Sequence, residues 1–340
     1  MEEGWAVIEH RVGTSKRSGA VHLAAKIVIR PTLKYYPLRG PAARLMPLVD
    51  HSARFIPRGG GLVHHQIEGK TWRGELVEPI DGPTSNGAIL YLHGGAFLMC
   101  GLNTHRRIVE RLARKTGMAV LSIEYRQLPH GRLADSLADC EDAHRWLVRH
   151  GHPAHRIVLA GDSAGGHLAF ATALRLRDAG LPRPAAVIGL SPWLDFDHTA
   201  KWRHHNVRRD AYIPARRLRR VAKLVVGDTP QPHHSPVNAD LTGLPTSLIM
   251  CGESEILRVD AELMTERLEQ AGVPCALSIW EGQVHAFPVL SDLSPQSREA
   301  VGIIVDFVKD AVAASTRPVT GLVSSYAAPA AGQATAGGVA

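Results

Sequence analysis

The apolar pattern of the chain changes rhythm near residue 62. Before it, residues 1–60 read as helical pieces broken by prolines. Val21–Ile29 is an apolar stretch followed by Pro31, and prolines recur at positions 37, 41, 47 and 57. Prolines at this density end helices and force extended links. Tyr35, Tyr36, Leu45, Met46, Leu48 and Phe55 give the segment apolar faces that need covering, so it is expected to lie as an accessory layer on another body. From Leu62 onward the segments shorten. Leu62–Glu68 and Trp72–Glu78 flank Gly69–Lys70 and predict an antiparallel hairpin. The compact apolar run Ala88–Leu92 predicts a buried strand.

Helix and strand patterns then alternate. Helical spacing covers 104–116, 134–149, 164–179, 258–271 and 296–314. Strand runs fall at Met118–Glu124, Arg156–Ala160, Ala185–Leu190, Thr246–Cys251 and Ala276–Trp280. The alternation predicts an α/β fold with a mostly parallel sheet covered on both faces, the hairpin supplying an antiparallel edge. Between Ser191 and Gly243 no strand signal occurs. There Leu218, Val221, Ala222 and Val225 stand at helical spacing with arginines opposite, so Ala215–Val226 reads as an amphipathic helix. The expected division is a core of 61–191 and 244–315, with a helical cap made of 1–60 and an insertion at 192–243. The cap would cover the sheet's carboxyl edge, where open α/β sheets place their sites. The tail 316–340, of small residues without periodicity, reads as a disordered extension.

Candidate chemistry centres on Gly161–Asp162–Ser163–Ala164–Gly165–Gly166, directly after the apolar Ile157–Ala160 and before a helical run. Gly-x-Ser-x-Gly in a strand–turn–helix setting is a nucleophile elbow. A serine hydroxyl is a weak nucleophile that needs a base and a place for developing negative charge. The helix start offers free N–H groups, that of Ala164 first among them. His93–Gly94–Gly95–Ala96–Phe97, after the Ala88–Leu92 strand, can aim further main-chain N–H groups at the same oxygen. His285 follows the last strand, as the chain order serine, acid, histidine requires. The acid should follow Thr246–Cys251, where Glu253, Glu255 and Asp260 stand. Glu255 has the best reach, and Asp260 fits the first turn of the next helix.

Composition narrows the setting. The formal net charge is +7, and much of it is local, since Arg203 to Lys223 holds eight Arg/Lys against a single Asp210. A solvated cap face accounts for this run, with attraction to anionic lipid as the sharper reading. No basic stripe interleaved with aromatics suggests nucleic acid. Four scattered cysteines (100, 140, 251, 275) read as buried reduced thiols. His64–His65, His204–His205 and His233–His234 lack carboxylates or cysteines at ligand spacing, so no metal is expected. No apolar run is long enough for a membrane helix, and Met1–Arg11 lacks a signal-peptide layout, so a cytoplasmic protein is expected.

Residues 60–312, and more loosely 1–312, resemble the hormone-sensitive lipase-like family of α/β-hydrolase esterases. The resemblance rests on His93–Gly94–Gly95–Ala96–Phe97, Glu124–Tyr125–Arg126–Gln127–Leu128–Pro129, the Gly161–Gly166 elbow, Ser191–Pro192–Trp193 and His285–Ala286–Phe287. It implies Ser163 as nucleophile, His285 as base, and an oxyanion hole from Ala164 and the Gly94–Gly95–Ala96 loop, Gly95 and Ala96 foremost. His93 would brace that loop. Three departures stand out. Ala96 replaces the family's third glycine. Glu255–Ile256–Leu257–Arg258–Val259 matches Asp-Pro-Leu-Arg-Asp, which makes Glu255 the acid, with Glu253 in reserve. Tyr-Arg-Leu-Ala-Pro-Glu is degraded to Tyr125–Arg126–Gln127–Leu128–Pro129–His130. The resemblance implies a cofactor-free carboxylesterase or lipase with a Ser-His-Glu triad and an acyl-enzyme. Its substrate would be a short- to medium-chain acyl ester, a small molecule. An acyltransferase or amidase with the same triad, a non-catalytic ligand-binding member, and assembly as a homodimer all remain open.

Overall fold

The computed structural model describes residues 6–38, 40, 45–290 and 292–315; the expected tail lies outside them. Strands β1 (Ala6–Arg11), β2 (Leu62–Glu68), β3 (Arg73–Pro79), β4 (Ala88–Leu92), β5 (Ala119–Glu124), β6 (Ile157–Asp162), β7 (Ala186–Leu190), β8 (Ser247–Gly252) and β9 (Cys275–Trp280) form one sheet. Its order is β1-β9-β8-β7-β6-β4-β5-β3-β2. The hairpin pairs antiparallel from Leu62 opposite Pro79 to Glu68 opposite Arg73, and β3 is antiparallel to β5. Every other pairing is parallel.

The helices are α1 (Lys16–Ala24), α2 (Arg30–Tyr35), α3 (Pro47–Ser52), α4 (Leu102–Thr116), α5 (Leu133–Arg149), α6 (Ala164–Asp178), α7 (Thr199–Arg203), α8 (Asn206–Arg209), α9 (Ala215–Val226), α10 (Arg258–Gln270) and α11 (Pro295–Ala314). Strands β4, β6, β7, β8 and β9 are buried at every position, as a sheet covered on both faces requires. Side-chain alternation divides them. Leu90, Leu92 and Leu159 face a core shared with α5, α6, α9 and α10, whereas Ile89, Tyr91 and Val158 face one shared with α4 and α11.

Two readings of the N-terminal segment need correction. Ala6–Arg11 is not helical: it pairs parallel to β9, with Ala6 beside Cys275 and Arg11 beside Trp280. Pro31 does not end a helix either. A π-helical turn, Ala25–Ile29, joins α1 to α2, and the Arg30 N–H bonds to Ala25 O. This wider turn relieves the clash between the proline ring and the preceding turn, so a helical rod runs from Lys16 to Tyr35.

In the insertion, α9 buries Leu218, Val221, Ala222 and Val225, the face its spacing predicts. The segment between β7 and β8 is tied to α10 by a buried ion pair, Lys201 Nζ to Asp260 Oδ1 at 2.6 Å. Lys201 also donates to the carbonyls of Asp195 and Asp197, and Asp260 Oδ2 accepts from the N–H groups of Leu194 and Asp195. Burial pushes the Asp260 carboxyl up to about 6, against the opposing pull of Lys201.

Candidate active site

Strand β6 delivers Ser163 into a sharp turn. Its φ of +52° and ψ of −115° lie where non-glycine residues are strained. Neighbours on both sides hold it there. The Ser163 N–H donates to Leu190 O at 2.9 Å, and its carbonyl accepts from Trp193 N at 3.0 Å. The glycine at 165 is sterically required, since a Cβ there would lie 1.8 Å from Leu92 O. Helix α6 can therefore start directly against β4.

His285, in the loop after β9, meets Glu255, in the loop after β8: His285 Nδ1 and Glu255 Oε2 are 2.8 Å apart. Both are buried. Burial disfavours the imidazolium, but the hydrogen bond and charge of Glu255, with Asp210 and Asp162 beyond, outweigh it and raise the His285 pKa. Glu255 Oε1 accepts from Ser191 Oγ at 2.7 Å and from the Gly252 N–H. Ser191 Oγ in turn accepts from Ala286 N at 2.9 Å, so one hydroxyl ties the acid to the histidine loop. Glu253 does not share this arrangement: its carbonyl accepts from Asn206 and Arg258, and its side chain is half-buried. Asp260 is occupied with Lys201.

The Gly94–Gly95–Ala96 loop is braced from below. Tyr125 OH donates to His93 O at 2.8 Å, and the two rings stack at 4.5 Å. Burial pushes the His93 imidazole down to about 4, so it stays neutral. Leu128 N donates to Phe97 O and Gln127 Nε2 to Cys100 O, which gives the degraded 125–130 motif a bracing role. The expectation for Gly94 needs correction: its N–H donates to Asp162 Oδ1 at 3.0 Å and is already engaged. Gly95 and Ala96 have no such bond among the described residues, and Ala164, at the first position of α6, has no intrahelical acceptor. Ala96 adopts a φ of +57°, so the alanine takes the left-handed conformation glycine would favour.

Ser163, His285, Gly95 and Ala96 line one cavity of about 350 Å³ at the carboxyl ends of the parallel strands. Its walls are mostly apolar: Leu98, Met99 and Trp193 come from the core, Leu33, Met46 and Val49 from the N-terminal segment, and Leu218 and Val221 from α9.

A family described as "alpha/beta hydrolase fold" matches residues 89–289. The chain belongs to this family. Among curated proteins it is 37% identical over 277 residues to esterase LipU of Mycobacterium tuberculosis, covering 78% of this chain and 92% of the relative. It is 35% identical over 315 residues to the carboxylesterase/phospholipase LipF of the same organism, covering 89% and 84%. A solved esterase of the bacterial hormone-sensitive lipase family superimposes with a TM-score of 0.78 at 30% identity, covering 88% of this chain and all of that one. The chain is a hormone-sensitive lipase-like α/β hydrolase that acts on ester bonds.

Several residues of this hydrolase escaped sequence reasoning. Asp162 gathers Gly94 N, Tyr91 OH (3.0 Å) and His105 Nε2 (3.3 Å) beneath the loop. Asp162 ionises below the usual carboxylate range: its burial works the other way, and the charge and bonds of His105 override it. Asp210, from the insertion, accepts from Ile256 N, Tyr212 N and Ile213 N, fixing the loop that carries Glu255. The Ser-Pro-Trp motif pointed toward Ser191 and the elbow motif contains Asp162, but nothing local marked their partners or Asp210. His64 lies against Glu75 (3.0 Å) and Glu110 (3.4 Å), carboxylates its sequence neighbourhood did not reveal. Among the described residues, no group of three or more His, Cys, Asp or Glu is arranged to hold a metal ion, and no helix is long and apolar enough to cross a membrane.

Proposed function

We propose that the hydrolase cleaves short- to medium-chain acyl esters through a Ser163–His285–Glu255 triad and an acyl-enzyme. The observation that carries this reading is the buried 2.8 Å bond between Glu255 and His285, with Ser163 on the same cavity. Glu255 holds the proton on Nδ1, leaving Nε2 of His285 as the acceptor for the Ser163 hydroxyl proton. Ser163 Oγ attacks the ester carbonyl, and its oxygen becomes an oxyanion received by the N–H groups of Gly95, Ala96 and Ala164. Each such donor is worth about 3–4 kcal/mol in the transition state. His285 then protonates the leaving alcohol. A water, deprotonated by the same nitrogen, attacks the acyl-enzyme, and collapse of the second tetrahedral intermediate releases the acid and restores Ser163. The charge of Glu255 and Asp210 stabilises the imidazolium present between proton transfers.

The chain-length preference follows from the cavity. Its volume of about 350 Å³ is near the lower end for small-molecule sites, roughly 300–1,000 Å³. We assign the cap to the N-terminal helices and the insertion, whose Leu33, Met46, Leu218 and Val221 bound the cavity. A p-nitrophenyl ester series from acetate to palmitate, run on wild type and Ser163→Ala, tests both statements. Turnover should peak at short to medium chains and vanish in Ser163→Ala. Activity that survives the substitution would refute the triad, and a palmitate optimum would refute the chain-length reading. Adding an alcohol or amine acceptor separates transfer from hydrolysis by its products.

A further inference from the structure

Apolar exposure is unevenly distributed. Of fourteen exposed large apolar residues among the described ones, ten lie between Ile8 and Phe55. The rod from Lys16 to Tyr35 carries four of them. It sets Ala25, and partly Val21 and Ile29, against the core beside α11. Leu23, Ile27, Val28 and Tyr35 face outward, 56%, 62%, 60% and 73% exposed. Leu23 and Ile27 are four residues apart and Val28 and Tyr35 seven, so both pairs recur along the outward side of the rod. Soluble monomers seldom leave such a surface uncovered.

The charge of the same rod says what covers it. Lys16, Arg17, Lys26, Arg30 and Lys34 stand on it, with no Asp or Glu between residues 16 and 35. The second half of the cap repeats the sign: Arg216, Arg219, Arg220 and Lys223 of α9, with Trp202, line one open cleft on the side away from the core. The two parts meet at the cavity. Leu33, Tyr36 and Arg217 all line it, and Arg217 donates to Tyr36 O. Exposed apolar residues interleaved with cations, and no carboxylate among them, suit the boundary between the headgroups and acyl chains of an anionic bilayer.

We propose that the Lys16–Tyr35 rod docks on an anionic lipid bilayer, Leu23, Ile27, Val28 and Tyr35 entering the interface and the cationic side chains meeting the headgroups. Docking there brings the cavity mouth to the membrane, so an ester held in the bilayer reaches Ser163 without crossing water. That consequence rests on the proposed esterase reading; the docking itself does not.

The test is flotation of the full-length protein with vesicles of phosphatidylcholine alone and of phosphatidylcholine with phosphatidylglycerol. Wild type and Ser163→Ala should bind the anionic vesicles equally, which separates docking from catalysis. Binding should weaken with salt but persist at moderate ionic strength, because screening removes only the electrostatic part. Ile27→Asp/Val28→Asp should lower the partition coefficient at least tenfold, and Lys26→Glu/Lys34→Glu should abolish the preference for phosphatidylglycerol. None of these four residues lines the cavity, so hydrolysis of p-nitrophenyl acetate should be unchanged. No binding to anionic vesicles at low salt would overturn the proposal, as would undiminished binding by the Ile27/Val28 variant. Sedimentation that shows a dimer dissociated by the same variant, without vesicle binding, would assign the face to a second copy instead.

Discussion

Replacing Glu255 by glutamine tests the acid with almost no change of shape. In the native site Oε1 accepts from Ser191 Oγ and Gly252 N, and Oε2 faces Nδ1 of His285. A glutamine can keep its carbonyl oxygen on Ser191 and Gly252, because both partners are donors. Its NH₂ must then face Nδ1, where it too donates. Two donors cannot share one bond, so the imidazole moves its proton to Nε2 and can no longer accept from Ser163. The charge that stabilises the imidazolium is lost as well. A wrong tautomer and a missing charge together lower kcat by about 10³- to 10⁴-fold, or roughly 4–5.5 kcal/mol. The pH profile carries a second signature. His285 must be neutral to act as base, and its pKa is raised mainly by Glu255, so the acid limb of kcat/KM in wild type should lie above the ordinary histidine value. Removing Glu255 lowers that pKa, so the limb of the residual activity should move to lower pH. Steady-state kinetics with p-nitrophenyl butyrate between pH 5 and 9 measures both effects, with Glu253→Gln as control, expected within about threefold of wild type. Glu255→Gln activity within threefold of wild type, or an equal loss in Glu253→Gln, would refute the assignment.

Three further substitutions follow from the same geometry. Asp162→Ala frees the Gly94 N–H and strips His105 of its partner. We expect kcat to fall by about 10²-fold with KM little changed, as for misplacement of an oxyanion donor. Lys201→Met leaves the Asp260 carboxyl buried without its cation. Denaturant unfolding should show a loss of about 3–5 kcal/mol, partly restored in Lys201→Met/Asp260→Asn, which removes the unpaired charge and keeps an acceptor for the N–H groups of Leu194 and Asp195. Gly165→Ala forces a methyl against Leu92 O, and calorimetry should find it destabilised by more than about 4 kcal/mol, or not folded.

What sequence could and could not deliver divides along the range of the interactions. Buried parallel strands write themselves as continuous apolar runs, so β4 is legible to the residue and its neighbours to within two. The elbow was legible because its glycines answer a local steric demand. β1 was not, because an edge strand alternates half-exposed positions, and Glu9 and His10 interrupt its apolar signal. The rod from Lys16 to Tyr35 was misread at Pro31, where a π-helical turn accommodates a residue that normally ends a helix. At the site, chain order and motif point to Ser163 and His285, which line one cavity. The choice of Glu255 over Glu253 rests on reach and a matched motif, and its support lies in contacts across the fold. Asp162, Ser191 and Asp210 act through partners 46 to 95 residues away. No window along the chain contains such a pair.

The central claim is that Ser163 carries the acyl group. Stopped-flow mixing with p-nitrophenyl butyrate, followed by acid quench and peptide mass mapping, tests it directly. An initial burst of p-nitrophenol and a butyryl group on the peptide containing Ser163 are expected, both absent from Ser163→Ala. Butyryl transfer to another residue, or full turnover by Ser163→Ala, would contradict it.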